Sequence, residues 1–213
     1  MLSRFLKAVA IAGLVALAAP ALAQLTPGKD YRVLDPAQPV DNPKRIEVIE
    51  FFWYGCPHCA DLQPTLKTWL KKKAPDIEFR SVPAVFRESW IPHTRLFYTL
   101  EAMGLLDKLH EEVFKAIHEQ KVDLGDLAKM QAWVGKRGFD AKQFGEVYNS
   151  FGVQSRVQRA IQMSKSYGLS GTPTLVVNGR YLTSPAMTQG LDRTFVVIDQ
   201  LAAQIRAGSP PAK

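Results

Sequence analysis

The sequence predicts an α/β fold, a mixed sheet interrupted in its middle by a block of helices. Three observations carry this expectation. A strand–helix–strand unit opens the folded part, segments of helical period fill the centre, and two short apolar runs about a turn precede a last helix.

Each element has its own signal. The stretch 24–44 holds Pro27, Pro36, Pro39 and Pro43 and reads as an extended lead-in with little helix. Residues 46–54 (IEVIEFFWY) are β-branched, aromatic and nearly continuously apolar, as a central strand buried on both faces would be. Pro57 opens a helix to about Lys73; proline is tolerated in a first turn, whereas Pro64 should kink it. A second strand is expected at 77–85, completing a parallel crossover unit. From Pro92 to about Gly168, segments such as LLDKLHEEVFKAIHEQ repeat apolar residues at helical spacing, with Gly or Asp at the breaks. TPTLVVNGRYLTSP then places Asn178-Gly179 between two apolar runs, the strongest short hairpin signal. A final helix follows, and the last residues read as a frayed tail.

The first residues, MLSRFLKAVAIAGLVALAAPALAQ, combine two basic residues, an apolar middle and Ala21-Leu22-Ala23. That is the pattern of a secretory signal peptide cleaved after Ala23, with an apolar core too short for a good membrane span. The rest of the chain is expected to be soluble and exported. The formal charge of +7 is modest, and the densest basic cluster, Lys71-Lys72-Lys73, falls at a helix end. Cations there suit the helix dipole, and no interleaving of aromatic and basic residues suggests a stacking platform. No nucleic-acid partner is expected.

The chain has two cysteines, Cys56 and Cys59, in the segment CPHC. In an exported protein a cysteine pair either staples the fold or does redox chemistry, and a loop this small constrains an unfolded chain little. Zinc would need about four ligands, and no other cysteine exists. His93, His110 and His118 are scattered and expected on solvated helix surfaces. Covalent haem requires a histidine after the second cysteine, where Ala60 stands. Redox chemistry remains, with no metal and no cofactor beyond a Cys56–Cys59 disulfide. Cys56 precedes a helix whose first N–H groups favour a thiolate, so it should exchange bonds with substrate while Cys59 resolves. Pro57 and His58 would tune the balance through the helix start and local charge. A stabilised thiolate favours the reduced form and makes the disulfide an oxidant.

Two further positions stand out. Glu50 interrupts an apolar run. It is either buried with a raised pKa, able to relay a proton to Cys59, or solvated at a strand edge. In SGTPT, Pro173 precedes an apolar strand, and the residues alone favour an ordinary trans bond. A cis bond would instead turn the Thr172 backbone toward an incoming extended segment.

CPHC, preceded by EFF and followed far downstream by GTPT, resembles the DsbA family of periplasmic thiol–disulfide oxidoreductases over essentially the whole mature chain. The resemblance implies a thioredoxin-like fold with an inserted helical domain. Its expected divisions are a signal peptide at 1–23, thioredoxin-like parts at 24–88 and 168–207, helices at 89–167 and a tail at 208–213. It makes Cys56 the nucleophile, Cys59 the resolving thiol, His58 the main tuner of potential, Glu50 a buried acid and Pro173 a cis-proline. Pro64 resembles the kinking proline of the thioredoxin active-site helix. The implied partners are exported proteins with free thiols and a DsbB-like membrane oxidase, and a periplasmic monomer is expected. Thr172 departs from the apolar valine of the best-studied member, and a threonine there resembles disulfide isomerases. Those are dimers built through an added N-terminal domain, for which the lead-in is too short. Oxidation of folding proteins is therefore expected over reduction, isomerisation or a chaperone-like binding role.

Overall fold

Residues 25–208 are described by the computed structural model, so the expected signal peptide and the end of the tail lie outside them. The first ladder is an edge one. Arg32–Val33 (β1) pairs antiparallel with Tyr181–Thr183 (β5), a short strand inside the proline-rich lead-in that periodicity could not single out. Ile46–Phe52 (β2) is the central strand and lies between Ile77–Pro83 (β3), which is parallel, and Thr174–Val177 (β4), which is antiparallel. The sheet order is β1-β5-β4-β2-β3, a mixed five-stranded sheet.

Every residue of β2 is buried, and its period of two sorts the side chains. Ile46 and Val48 pack with Leu62, Leu66 and Trp69 of the helix Pro57–Leu70 (α1) and with the helix Leu191–Arg206 (α8). Ile49 and Phe51 face the other cluster, formed with the inserted helices. A strand covered on both faces explains the unbroken apolar run in its sequence.

The insertion comprises a 3₁₀ turn at Glu88–Trp90 and then Ile91–Ala102 (α2), Leu106–His118 (α3), Leu127–Gly135 (α4), Ala141–Tyr148 (α5) and Phe151–Ser166 (α6). Asp126, Asp140 and Ser150 cap α4, α5 and α6 by accepting first-turn N–H groups. The hairpin after it turns at Asn178 and Gly179, both at positive φ (50° and 63°), and leads into the short helix Pro185–Thr188 (α7). Gly179 is also required by space, because a Cβ there would lie 2.1 Å from the carbonyl oxygen of Gln38.

Candidate active site

The site is built where β2 ends and α1 begins. The Cys56 N–H donates to Trp53 O at 2.9 Å, closing a turn through Tyr54 and Gly55. Cys56 is the N-cap of α1, extended at φ −88°, with Pro57 in the first turn. The Cys56 carbonyl accepts from the N–H groups of Cys59 and Ala60. Both cysteines carry free thiols, Cys56 8% exposed and Cys59 fully covered.

Their environments push the two sulfurs in opposite directions. The Cys59 thiol donates to Cys56, and that bond, with others from Thr172 and the backbone N–H groups of Cys59 and His58, brings the Cys56 thiol down to about 5 against desolvation. Cys59 is raised far above an ordinary thiol by burial and by its bond to Cys56. The His58 ring is exposed, with Nδ1 3.8 Å from Asp61 Oδ2. What His58 brings directly to the sulfur is its backbone N–H.

Glu50 is completely buried, which decides between the two positions its sequence context allowed. Desolvation raises its carboxyl to about 7, against hydrogen bonds from Ser81 and Gln63. Ser81 Oγ donates to Oε2 at 2.8 Å and Gln63 Nε2 to Oε1 at 3.2 Å, while Gln63 also donates to Cys59 O at 3.2 Å. Sequence reasoning passed over Ser81 and Gln63. The spacing from Cys59 to Gln63, one helical turn, was the available signal.

The Thr172–Pro173 bond is cis, correcting the trans bond that the residues alone favoured. An X–Pro bond prefers trans by only about 0.5–1 kcal/mol, little enough for tertiary contacts to override. Cys56 Sγ lies 3.3 Å from Thr172 O. Beside the loop is a groove of about 720 Å³, lined by Arg32, His58, Asp61, Thr172, Pro173 and Met187 among others.

A second correction concerns the three histidines expected on solvated surfaces. They gather instead about Tyr54. His110 Nδ1 is 2.8 Å from the Tyr54 hydroxyl, His118 Nε2 is 2.7 Å from Tyr54 O, and the His93 ring is 6.3 Å from the Tyr54 ring. Burial lowers both His93 and His110 to about 4. The signal was a stripe on α3: His110, Phe114 and His118 recur every four residues beside Leu109 and Val113, on the buried face. No cluster of three or more His, Cys, Asp or Glu fit for a metal occurs among the described residues.

The family model of the DSBA-like thioredoxin domain matches residues 82–202. The thiol:disulfide interchange protein DsbA of Burkholderia cepacia is 41% identical, over 97% of each chain. That of Pseudomonas aeruginosa PAO1 is 37% identical, over 94% of this chain and 95% of its own. The crystal structure of Pseudomonas aeruginosa DsbA superposes with a TM-score of 0.83 at 37% identity, covering 87% of this chain and 96% of that one. The oxidoreductase DsbA from Xylella fastidiosa gives 0.80 at 31%, covering 86% and 98%.

Proposed function

The chain belongs to the DsbA family of thioredoxin-fold proteins, and from that premise we propose that it donates a Cys56–Cys59 disulfide to exported proteins as they fold. It is a protein-disulfide oxidoreductase. The observation that supports the direction of transfer is the opposed state of the two sulfurs, Cys56 held near 5 and Cys59 driven far up.

A client thiolate attacks Cys56 Sγ, a mixed disulfide forms, and the Cys59 sulfur leaves with the electron pair of the broken bond. Cys59 is too basic to remain a thiolate and takes a proton; in this reading the donor is Glu50, its carboxyl near 7 and linked to the Cys59 backbone through Gln63. A second client thiolate then attacks the client sulfur, and Cys56 leaves as a stabilised thiolate. A low leaving-group pKa speeds this step and favours the reduced protein. The client is oxidised by two electrons and the protein reduced by two. In re-oxidation by a DsbB-like membrane partner, Cys56 becomes the nucleophile. No cofactor beyond the disulfide is required.

Thr172 works in the same direction. Its hydrogen bond lowers the Cys56 thiol, which destabilises the disulfide and suits an oxidase. An extended client segment would lie in the groove beside the Thr172–Pro173 loop. The reading places the protein in the periplasm as a monomer, with a signal peptide at 1–23, thioredoxin-like parts at 24–88 and 168–207, an inserted helical domain at 89–167 and a tail at 208–213. Among the described residues no helix is long and apolar enough to cross a membrane.

The test is equilibration of the purified protein with reduced and oxidised glutathione. An oxidase is mostly reduced even at a mildly oxidising ratio. A disulfide that survives until the buffer is strongly reducing would mark a reductant or isomerase instead. Replacing Cys56 and Cys59 by Ser abolishes an oxidase and spares a holdase.

A further inference from the structure

Tyr54 is the second residue of the turn that carries the chain from β2 into Cys56, and both of its polar ends are taken by one helix. His118 Nε2 lies 2.7 Å from the Tyr54 carbonyl oxygen. A carbonyl only accepts, so Nε2 carries the hydrogen and His118 donates. Two turns earlier on α3, His110 Nδ1 lies 2.8 Å from the Tyr54 hydroxyl. The His110 ring is set edge-to-face against Phe52, Phe97 and Phe114. This apolar cage keeps it uncharged at neutral pH, and burial keeps Tyr54 protonated. The two share one neutral hydrogen bond whose direction follows the His110 tautomer, with His110 Nε2 buried and unpartnered among the described residues.

The turn has little else to hold it from that side. Gly55 leaves no side chain there, and a Cβ would lie 2.4 Å from the Trp53 indole, which folds across it and stacks on Trp90 at 4.2 Å. Trp53 Nε1 is buried without a hydrogen-bond partner among the described residues, so the indole is held by stacking alone. The directional contacts fixing this turn from the inserted helices are therefore the two at Tyr54.

We propose that His110 and His118 are positioning residues for the reactive thiol: by holding the two polar ends of Tyr54 they fix the turn that presents Cys56. The proposal rests on the reading of Cys56 as the exchanging sulfur. Its physical content is alignment. The Cys56 thiolate depends on the N–H groups of His58 and Cys59, whose direction follows from how the turn delivers the chain into α1. A turn released at Tyr54 lets these donors wander, and the thiolate loses part of its support. The coupling also ties the inserted helices to the redox centre through a specific hydrogen-bonded pair of contacts.

The experiment follows thiolate absorbance against pH, and the glutathione equilibrium, in the purified protein and in His118→Ala, His118→Gln and Tyr54→Phe. If the parent Cys56 titrates like an ordinary thiol, the reading of the site fails before the clamp is tested. If the parent titrates low, His118→Ala is expected to raise the Cys56 titration by half a pH unit or more, about threefold in the thiolate equilibrium. The glutathione equilibrium should shift by a similar factor toward the oxidised protein. His118→Gln places an amide N–H near the lost Nε2–H and should restore most of the parent behaviour, which a purely packing role would not. Tyr54→Phe deletes only the hydroxyl and should give a smaller shift of the same sign. Should His118→Ala not fold, Tyr54→Phe and His118→Gln decide: a raised titration in the first with a near-parent value in the second supports the clamp. Folded variants with the parent's titration and equilibrium, whatever their melting temperatures, overturn it.

Discussion

The Cys56 sulfur lies 3.3 Å from the carbonyl oxygen of Thr172, across a loop whose next bond is cis. The same residue stabilises the thiolate through its side-chain hydrogen bond, after the larger effect of the Cys59 thiol. A hydrogen bond to a charged group is worth about 1.5–3 kcal/mol, less where solvent reaches the sulfur. Thr172→Val should therefore raise the Cys56 pKa by about one unit and make the disulfide a weaker oxidant. Thiolate absorbance measured against pH checks this, and an unchanged titration would show that the hydroxyl is idle.

The Cys56 thiolate also links redox state to pH. Its folded value near 5 lies below the ordinary 9.0, so the stability it gives the reduced protein is fully present above pH 9 and lost as pH falls through 5. The oxidised protein has no thiolate, and Glu50 titrates in both forms. The stability difference, reduced minus oxidised, should thus shrink on acidification between pH 9 and 5, by up to about 1.4 kcal/mol per unit. Above pH 9 the raised Cys59 reverses the trend, because an unfolded thiol ionises there and the buried one does not. Denaturant unfolding of both forms across this range measures it. A gap that stays flat with pH contradicts the low thiol.

Gly179 offers a test of the frame. Its φ of 63° and the Gln38 carbonyl oxygen 2.1 Å from a would-be Cβ leave no room for a side chain. Gly179→Ala should cost about 2–4 kcal/mol, at the high end of single substitutions, because backbone must shift. The loss should appear in urea midpoints with the slope unchanged.

What could be read in the sequence, and what could not, divides along physical lines. Cys56, Pro57 and Cys59 announce themselves because a thiol at a helix start is a local arrangement. The hairpin at Asn178-Gly179 is legible for the same reason. β2 was legible as a strand because burial on both faces leaves an unbroken apolar run. The partners of Glu50 were not, since Ser81 comes from the neighbouring strand and becomes relevant only through the parallel register Glu50↔Ser81. The burial of the histidines is written in their spacing rather than in their residue type. Their four-residue stripe with Phe114 pointed inward, and neutral histidines tolerate burial when hydrogen-bonded. The meeting of Thr172 with the Cys56 sulfur joins residues 116 positions apart, which no local pattern records.

Glu50 gives the sharpest separation of stability from function. Its folded pKa, raised to about 7 by burial from an ordinary 4.5, means that its contribution is intact below pH 4.5 and lost as pH rises through 7. Above that pH the fold carries a buried carboxylate that the unfolded chain would solvate, at a penalty of about 3 kcal/mol. Glu50→Gln removes the charge and keeps an acceptor for one of the two donors, Ser81 or Gln63. It should leave stability nearly unchanged at pH 4 and raise it by about 2 kcal/mol at pH 8, the difference growing between these limits. Function should move the other way. An amide cannot hand a proton to Cys59, so oxidation of a dithiol peptide should slow about tenfold or more, within the usual range for losing a general acid. The glutathione equilibrium should shift far less than the rate. Unfolding curves and stopped-flow rates on the same preparation decide the matter. Greater stability at pH 8 with an undiminished rate would leave Glu50 a buried charge with no part in proton transfer.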